Sequence, residues 1–115
     1  MENYNEALDV LNGRNHRKLE NNTYLEKRDE NTIAVKLHGT DVVTYKKDGS
    51  VILETGGWYT VTTKDRINKY SPVRVYQQKG EWFIKINGEI ENFIDGVKVE
   101  LKGIVLGLVY PSEVN

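Results

Sequence analysis

Apolar residues recur at helical spacing near the start of the chain. They lie three or four positions apart, at Tyr4, Ala7, Leu8 and Leu11. This spacing places them on one face of an α-helix, which Asn3 or Asn5 can cap and Asn12-Gly13 can end. The pattern therefore predicts a helix over residues 3–11. Because a helix this short is marginal alone, its apolar stripe must pack against the rest of the protein.

From residue 23 onward, apolar and polar residues alternate, which is the period of a half-buried β-strand. The preceding segment, 14–22, is basic and polar and is predicted to be a loop. The alternation predicts strands over residues 23–28, 33–38, 40–47, 50–55, 73–77, 81–86, 89–93, 97–102 and 104–109, with a short extended segment over 58–61 and a tail over 111–115. The segment 104–109 is apolar on both faces, so it is expected to be a central strand.

Three dipeptides predict tight turns between these strands: Asp48-Gly49, Lys79-Gly80 and Asn87-Gly88. Asp-Gly and Asn-Gly favour the two-residue type I′ turn, in which both residues have positive φ. At the first turn this geometry would place Tyr45 opposite Ile52. At the second turn it would place Val75 opposite Ile84.

A second helix is predicted over residues 64–70. Thr62 or Thr63 can cap its N-terminus, Asp65 lies in its first turn where a carboxylate suits the helix dipole, and Ser71-Pro72 can end it. Two short helices with eight or nine short strands predict one α+β domain over residues 1–115. Its main element would be an antiparallel curved sheet or a small open barrel.

The composition narrows the possible functions. The chain has 115 residues with 16 basic and 17 acidic side chains and a net charge of −1, so the wide basic face of a general DNA-binding protein is not expected. It has no cysteine, which excludes disulfides, thiolate zinc sites and cysteine nucleophiles. The polar N-terminus is unlike a secretory signal and no apolar run could span a bilayer, so we expect a cytoplasmic protein with no membrane partner.

Catalytic and metal-binding residues are sparse. His16 and His38 are the two histidines, and neither has a partner at metal-ligand spacing, so no metal and no other cofactor is predicted. His38 with Asp41 is the one candidate pair for acid–base catalysis. The chain has no nucleophile elbow, Walker loop or dinucleotide fingerprint. The sequence thus favours a non-enzymatic role and leaves a small nuclease or phosphodiesterase open.

The densest group of polar and aromatic residues lies within 56–68. A helix that begins after Thr62 or Thr63 would present free N–H groups to an anion, with Lys64 and Arg66 nearby. Trp58 and Tyr59 could stack on a planar ring. The alternative interpretation is structural, with the threonines serving as strand and cap residues, the cations solvated and Trp58 in the core.

Part of the chain resembles a family of small proteins encoded by tailed bacteriophages and prophages. The matching motifs are NNTYL at 21–25, IAVKLH at 33–38, TDVV at 40–43, DG at 48–49, GGW at 56–58 and TxTTKxRIN at 60–68. The resemblance spans residues 21–68, and Lys36 stands where the family pattern usually has arginine. It implies a phage protein that acts in the cytoplasm of a bacterial host.

A family signature rich in Asn, Thr, Lys and Arg favours a binding site over a purely structural motif. The predicted ligand-binding residues are Asn22, Tyr24, His38, Asp41, Trp58, Thr60, Thr62, Thr63, Lys64 and Arg66. The leading hypothesis is a non-enzymatic phage protein, such as a counter-defence factor, that captures a nucleotide-like ligand or blocks a host protein. One alternative is a single-strand nucleic-acid binder that uses a curved sheet with Trp58, Tyr59 and Trp82 and the basic loop at 14–18. The others are the small nuclease or phosphodiesterase, using His38 and Asp41 with Lys64 or Arg66, and a self-assembling module that pairs through an edge strand at 97–102.

Overall fold

Alternating apolar side chains build two antiparallel β-sheets in the computed structural model, which describes residues 1–111. The elements of this part of the chain are α1 Tyr4–Leu11, β1 His16–Glu20, β2 Thr23–Asp29, β3 Thr32–Leu37, β4 Thr40–Lys46, β5 Val51–Leu53, α2 Val61–Tyr70, β6 Arg74–Gln78, β7 Glu81–Ile86, β8 Glu89–Asn92, β9 Val97–Lys102 and β10 Val105–Val109. The predicted α+β class, with two short helices and open antiparallel sheets, is confirmed. Of the predicted tail over 111–115, residues 112–115 lie outside the described part.

The larger sheet has seven strands in the order β1-β2-β3-β4-β5-β9-β10, and the smaller has three in the order β6-β7-β8. Every neighbouring pair in the larger sheet is antiparallel. Because β5 pairs directly with β9, α2 and the whole smaller sheet form an insertion between two strands that are neighbours in space.

Side chains from both sheets and both helices share one hydrophobic core. Tyr45 is fully buried in it, and its hydroxyl donates a hydrogen bond to the Tyr70 carbonyl. Burial raises the pKa of Tyr45, so this phenol stays a neutral donor. The partner carbonyl belongs to the last residue of α2, so the bond fixes the end of that helix against the larger sheet.

The first helix follows its sequence signals closely. The Asn3 side chain accepts a hydrogen bond from the Glu6 N–H at 2.9 Å, and Asn12 ends the helix in the left-handed region at φ 50°. Three apolar residues of the predicted stripe are buried, at Tyr4, Ala7 and Leu11. Neither described helix is long and apolar enough to cross a membrane.

The second helix begins earlier than predicted, at Val61. Thr60 is its N-cap, with an extended backbone at φ −111° and ψ 163°, and its hydroxyl accepts a hydrogen bond from the Thr63 N–H at 3.1 Å. The expectation that Thr62 or Thr63 caps the helix was wrong, since both lie inside it. The extended segment predicted over 58–61 was also wrong, because the Thr60 N–H donates to the Trp58 carbonyl at 2.9 Å in a tight turn and Val61 already belongs to the helix. Thr60, Thr62 and Thr63 can each cap a helix by residue type. Which of them does so depends on where the preceding loop turns.

The segment predicted as a loop over 14–22 contains strand β1, so that expectation was wrong. The strand pairs with β2 across the turn Asn21-Asn22, where Asn22 has a φ of 55°. Leu19 packs against the core, while Arg17 donates to the Val10 carbonyl at 2.7 Å. One inward leucine among charged residues is too weak a period-two signal to reveal a strand.

The turn at Asp48-Gly49 is one residue longer than predicted. Of these two residues only Gly49 has positive φ, at 96°, and Tyr45 pairs with Val51 instead of Ile52. The Asp48 carboxylate accepts a hydrogen bond from the Ser50 N–H at 2.8 Å, which favours this wider turn over the type I′ form.

The other two predicted turns have the type I′ signature, with positive φ at both central residues. The φ values are 53° and 80° at Lys79 and Gly80, and 53° and 77° at Asn87 and Gly88. Val75 lies opposite Ile84, so the predicted register of this hairpin is confirmed.

The last strand is at the edge of the larger sheet and not at its centre, so that expectation was wrong. Leu106 and Leu108 pack against the core, whereas Val105 is 51% exposed. β9 lies between β5 and β10 and pairs with β5 through residues 97–99 and with β10 through residues 98–102, so it is not the edge strand that self-assembly through residues 97–102 required. Apolar residues on both faces did not indicate a central strand here because only one face of β10 meets the core.

Candidate functional site

A pocket of about 740 Å³ lies between two turns of the larger sheet, the loop that joins β5 to α2, and the N-terminus of α2. We call it the main pocket. It is lined by Asn21, Asn22, Leu37, His38, Gly39, Thr40, Val42, Thr55, Trp58, Thr60, Thr62, Thr63 and Arg66. Its volume is in the range that holds small-molecule ligands.

A β-bulge shapes the inner wall of the main pocket. Leu37 pairs with Thr40, while the register shifts between the next two pairs so that Val42 is an extra residue in β4. The bulge turns both Thr40 and Val42 toward the pocket, leaving Asp41 on the opposite face of the sheet, beside Lys36. Bulges often re-aim side chains in this way next to binding sites.

The loop before α2 forms a second wall of the main pocket and is held in place by hydrogen bonds to Asp95. Thr55 is fully buried, and its N–H and hydroxyl both donate to the Asp95 carboxylate at 2.7 Å. Gly56, at φ 64°, lies so close to β4 that a Cβ on it would be 2.6 Å from Thr40 Oγ1. Only glycine fits this approach, so Gly56 sets the position of Trp58 at the pocket.

The N-terminus of α2 faces the main pocket. Among the described residues, the Val61 and Thr62 N–H groups have no protein acceptor, whereas Thr60 occupies the Thr63 N–H. Free N–H groups and the positive end of the helix dipole favour an anionic or carbonyl oxygen at this position.

Arg66 lines the main pocket, yet most of its donors are already used. Its guanidinium donates to Thr23 Oγ1 at 2.8 Å, Asp65 Oδ2 at 2.5 Å and the Asn21 carbonyl at 3.3 Å, and it forms an ion pair with Glu20 at 3.3 Å. The side chain is only 12% exposed. Arg66 therefore fixes the turn at 21–22 against α2 and adds a largely balanced charge to the pocket.

Glu20 is the centre of an ion-pair network beside the pocket. It accepts hydrogen bonds from the Tyr70 hydroxyl and from Lys69 Nζ, the latter at 3.0 Å. The bond from Tyr70, reinforced by Lys69 and Arg66, lowers the pKa of Glu20. The carboxylate is thus held ionised and keeps Arg66 in place.

Seven of the ten predicted ligand-binding residues line the main pocket, and three lie elsewhere. Tyr24 stacks on the His16 ring at 5.0 Å. Asp41 accepts two hydrogen bonds from Arg28, at 2.5 and 3.1 Å, and these bonds raise the pKa of Arg28. Lys64 lies over the Trp82 ring, 5.6 Å from its centroid.

The candidate catalytic pair is separated. His38 lines the main pocket, whereas Asp41 is bound by Arg28, and in the described part of the chain no hydrogen bond joins His38 to Asp41. The described residues also include no cluster of three or more side chains suited to a metal ion. The arrangement offers hydrogen-bond donors and acceptors to a ligand and no positioned acid–base pair.

The two tryptophans differ in environment. Trp58 is 67% exposed, which contradicts the structural interpretation that placed it in the core. Trp82 is 6% exposed, and its Nε1 has no hydrogen-bond partner among the described residues. Tyr59 packs edge-on against Trp82, with ring centroids 5.1 Å apart. The consecutive residues Trp58 and Tyr59 therefore have different environments.

Sequence reasoning missed several lining residues. They are Asn21, Leu37, Gly39, Thr40, Val42 and Thr55. Asn21 and Thr40 belong to the polar motifs at 21–25 and 40–43 and could have been included on that ground. Leu37 and Val42 carry only the signal of core residues, because an apolar pocket wall and a core have the same alternation.

A family model described as Kyanoviridae Gp96 protein matches residues 2–100, and the chain belongs to this family of phage proteins. The predicted membership of a family of small phage proteins is thereby confirmed, while the motif pattern itself stays a prediction. Searches of curated proteins and of solved structures gave no match.

Proposed function

For this member of the Kyanoviridae Gp96 family, we propose a non-enzymatic phage protein that captures a small nucleotide-like ligand in the main pocket. One observation supports the proposal most. Segments far apart in the sequence, 21–22, 37–42 and 55–66, meet around one pocket of about 740 Å³. Most of the polar residues singled out from the sequence lie on its walls.

The lining suits a planar ring with polar edges. Trp58 is largely exposed beside the pocket and offers a face on which a base can stack. Leu37 and Val42 supply apolar contact, and the amides of Asn21 and Asn22 can donate to and accept from ring edges. This combination favours a nucleobase over a purely aliphatic ligand.

The electrostatics favour a ligand with little negative charge. Among the described residues, none of those that line the pocket is acidic. The free Val61 and Thr62 N–H groups lie at the start of α2, where Thr62 lines the pocket, and can bind one anionic group. Arg66, however, is balanced by Asp65 and Glu20, so several phosphates would lack counter-charges. We therefore propose a cyclic mononucleotide or a nucleoside monophosphate as the ligand class, in preference to a triphosphate.

Calorimetry with ligands that share one base and differ in charge tests the proposal. The series is the nucleoside, its cyclic monophosphate, its monophosphate and its triphosphate, repeated for each common base. We expect saturable heat for at least one singly phosphorylated compound and weaker binding of its triphosphate. An absence of heat with every compound would overturn the proposal and favour a host protein as the partner.

Paired variants test the location of the ligand. Trp58→Ala removes the stacking face and should weaken binding by about 1–3 kcal/mol. Tyr24→Ala is the matched control, because Tyr24 is a partly exposed aromatic residue outside the pocket, and it should leave the affinity unchanged. Equal losses in both variants would place the ligand elsewhere.

The phage would benefit if the protein binds the nucleotide without converting it into a product. A protein that holds a host nucleotide in the bacterial cytoplasm would lower its free concentration, which is a counter-defence role. Chromatography of the ligand after incubation and denaturation should recover it unchanged. A new product would instead indicate a phosphodiesterase.

A further inference from the structure

The smaller sheet presents a solvent face that the main pocket does not use. Residues Val75, Trp82, Ile84 and Ile86 are buried and point to the core, so the alternate positions of β6 and β7 point outward. Tyr76 and Phe83 lie opposite each other on this outward face, with ring centroids 5.8 Å apart and planes inclined by 33°. Both residues are half-buried, so two aromatic rings lie side by side on this sheet with part of their surface open to solvent.

Cations without partners surround this aromatic pair. Arg74 and Lys85 are opposite each other in the next row of the same face, both exposed, and Lys79 lies in the turn that joins β6 to β7. Among the described residues, none of the three forms an ion pair or a side-chain hydrogen bond. On the larger sheet, Lys36, Arg28 and Lys98 are paired with carboxylates, whereas Lys18 and Lys47 also lack a side-chain partner among the described residues but do not lie beside a pair of outward tyrosine or phenylalanine rings.

From this arrangement we infer that the outward face of β6-β7-β8 is a binding surface for single-stranded nucleic acid. Its bases stack on Tyr76 and Phe83, and its phosphates contact Arg74, Lys79 and Lys85. Exposed aromatic rings flanked by cations are the combination that such strands require, because every base has a stacking face and every nucleotide carries a charge. Base stacking, not base-edge hydrogen bonds, would supply the affinity, so binding is tolerant of sequence.

The net charge of −1 is compatible with this surface because the charges are unevenly distributed. At the outward positions of β6 and β7 the acidic residue is Glu81, at the far end from Arg74 and Lys85. In β8, Ile90 and Asn92 lie opposite the outward Lys85 and Phe83, whereas the exposed Glu89 and Glu91 lie opposite the inward Ile86 and Ile84. Few cations mean few phosphate contacts, so the affinity is expected to be modest and to fall with salt at a shallow slope of about 0.7 per contact, which makes low salt the condition in which to measure it. An acidic protein segment would match the cations but would leave the two rings unused, which is why we favour nucleic acid.

Fluorescence anisotropy of a labelled oligothymidylate at low salt tests the surface. Tyr76→Ala and Phe83→Ala should each weaken binding by roughly 5- to 150-fold, the range that loss of one stacked base produces. The double variant Arg74→Ala/Lys85→Ala should weaken binding and reduce the slope of log affinity against log salt by about 1.4, or about 0.7 for each lost phosphate contact. Melting curves of each variant check that the fold is retained.

Matched controls come from the larger sheet and the main pocket. Tyr24→Ala removes a partly exposed aromatic residue, and Lys18→Ala/Lys47→Ala removes two cations with no side-chain partner among the described residues, so neither variant should change the affinity. Filling the main pocket with the mononucleotide that calorimetry identifies should leave oligonucleotide binding unchanged, which separates this surface from the main pocket. The inference is overturned if the wild type does not bind at low salt, or if the ring variants bind as well as the wild type. It is also overturned if duplex DNA or polyglutamate competes as well as a single strand.

Discussion

Thr60 connects the stability of α2 with the shape of the main pocket. Its hydroxyl caps the helix through the Thr63 N–H, and the same residue lines the pocket. Because the cap occupies one of the free N–H groups at the helix start, it leaves those of Val61 and Thr62 for a ligand. A residue that looks like part of a binding motif in sequence is thus also a structural residue.

Replacing this cap should be measurable in stability. Thr60→Ala leaves the Thr63 N–H without its acceptor and should lower the free energy of unfolding by about 0.5–2 kcal/mol, as measured by urea denaturation. Thr60→Ser keeps the hydroxyl and should lose much less. Thr62→Ala, at an exposed helical position, is the control and should stay within about 0.5 kcal/mol of the wild type.

The ionisation of Glu54 should lower the stability of the fold as the pH rises. Burial, together with the charge of Asp95, raises the pKa of Glu54, so its contribution to stability is present below the pKa of the unfolded chain and is lost as pH rises through the folded value. Glu54→Gln should therefore raise the melting temperature at neutral pH, with the gain shrinking in acid. A gain that is equal at every pH would contradict this assignment.

Glu20 should act in the opposite direction. Its lowered pKa, caused first by the Tyr70 hydroxyl, stabilises the fold above the pKa of the unfolded chain, and this stabilisation is lost as pH falls through the folded value. Glu20→Gln should thus lower stability at neutral pH and become harmless in acid. Comparing its pH profile with that of Glu54→Gln checks both signs in one set of melting curves.

At the scale of elements, the loop 55–60 decides whether the main pocket forms. It is anchored at one end by the two hydrogen bonds from Thr55 to Asp95 and at the other by the cap of α2. Between these anchors, Gly56 packs directly on Thr40. These contacts restrict movement of the loop away from the pocket.

Gly56→Ala should disturb this element more than the neighbouring substitution. Both Gly56 and Gly57 have positive φ, at 64° and 89°, so alanine at either costs about 1–2 kcal/mol in the backbone. Only at Gly56 would the new methyl also meet Thr40, whereas at Gly57 nothing lies within 4 Å. Urea denaturation should show the larger loss for Gly56→Ala, and Thr40→Ala in the same chain should recover part of it. Equal losses at the two glycines would contradict the close approach.

Elements with their own local signals could be predicted from sequence. The α1 helix has a cap at each end and an apolar stripe, and the β6-β7 hairpin has a turn dipeptide with alternating strands, so both appear as expected. β1 and the start of α2 were missed because both depend on tertiary contacts that the local sequence does not show. Leu19 is the residue of β1 that packs against the core, and Thr60 caps α2 because the preceding loop turns at that residue. The polar side of the pocket could be inferred from residue type, but the bulge that presents Val42 leaves no trace in the sequence.

At the scale of the whole molecule, the insertion between β5 and β9 gives the chain two separate surfaces. The larger sheet and the start of α2 enclose the main pocket, while the inserted smaller sheet carries the half-buried pair Tyr76 and Phe83 on its outward face. The two are built from different residues, so their proposed ligands can be tested independently.

The emission of Trp58 tests the central claim, ligand capture in the main pocket, most directly. In a Trp82→Phe variant, Trp58 is the remaining tryptophan, and the substitution removes a buried N–H that has no partner among the described residues. Titration with cyclic mononucleotides and nucleoside monophosphates should then quench or shift this emission saturably, at the same affinity that calorimetry gives for the wild type. Emission that keeps the signature of a solvent-exposed tryptophan at every concentration, for every nucleotide, would contradict the claim.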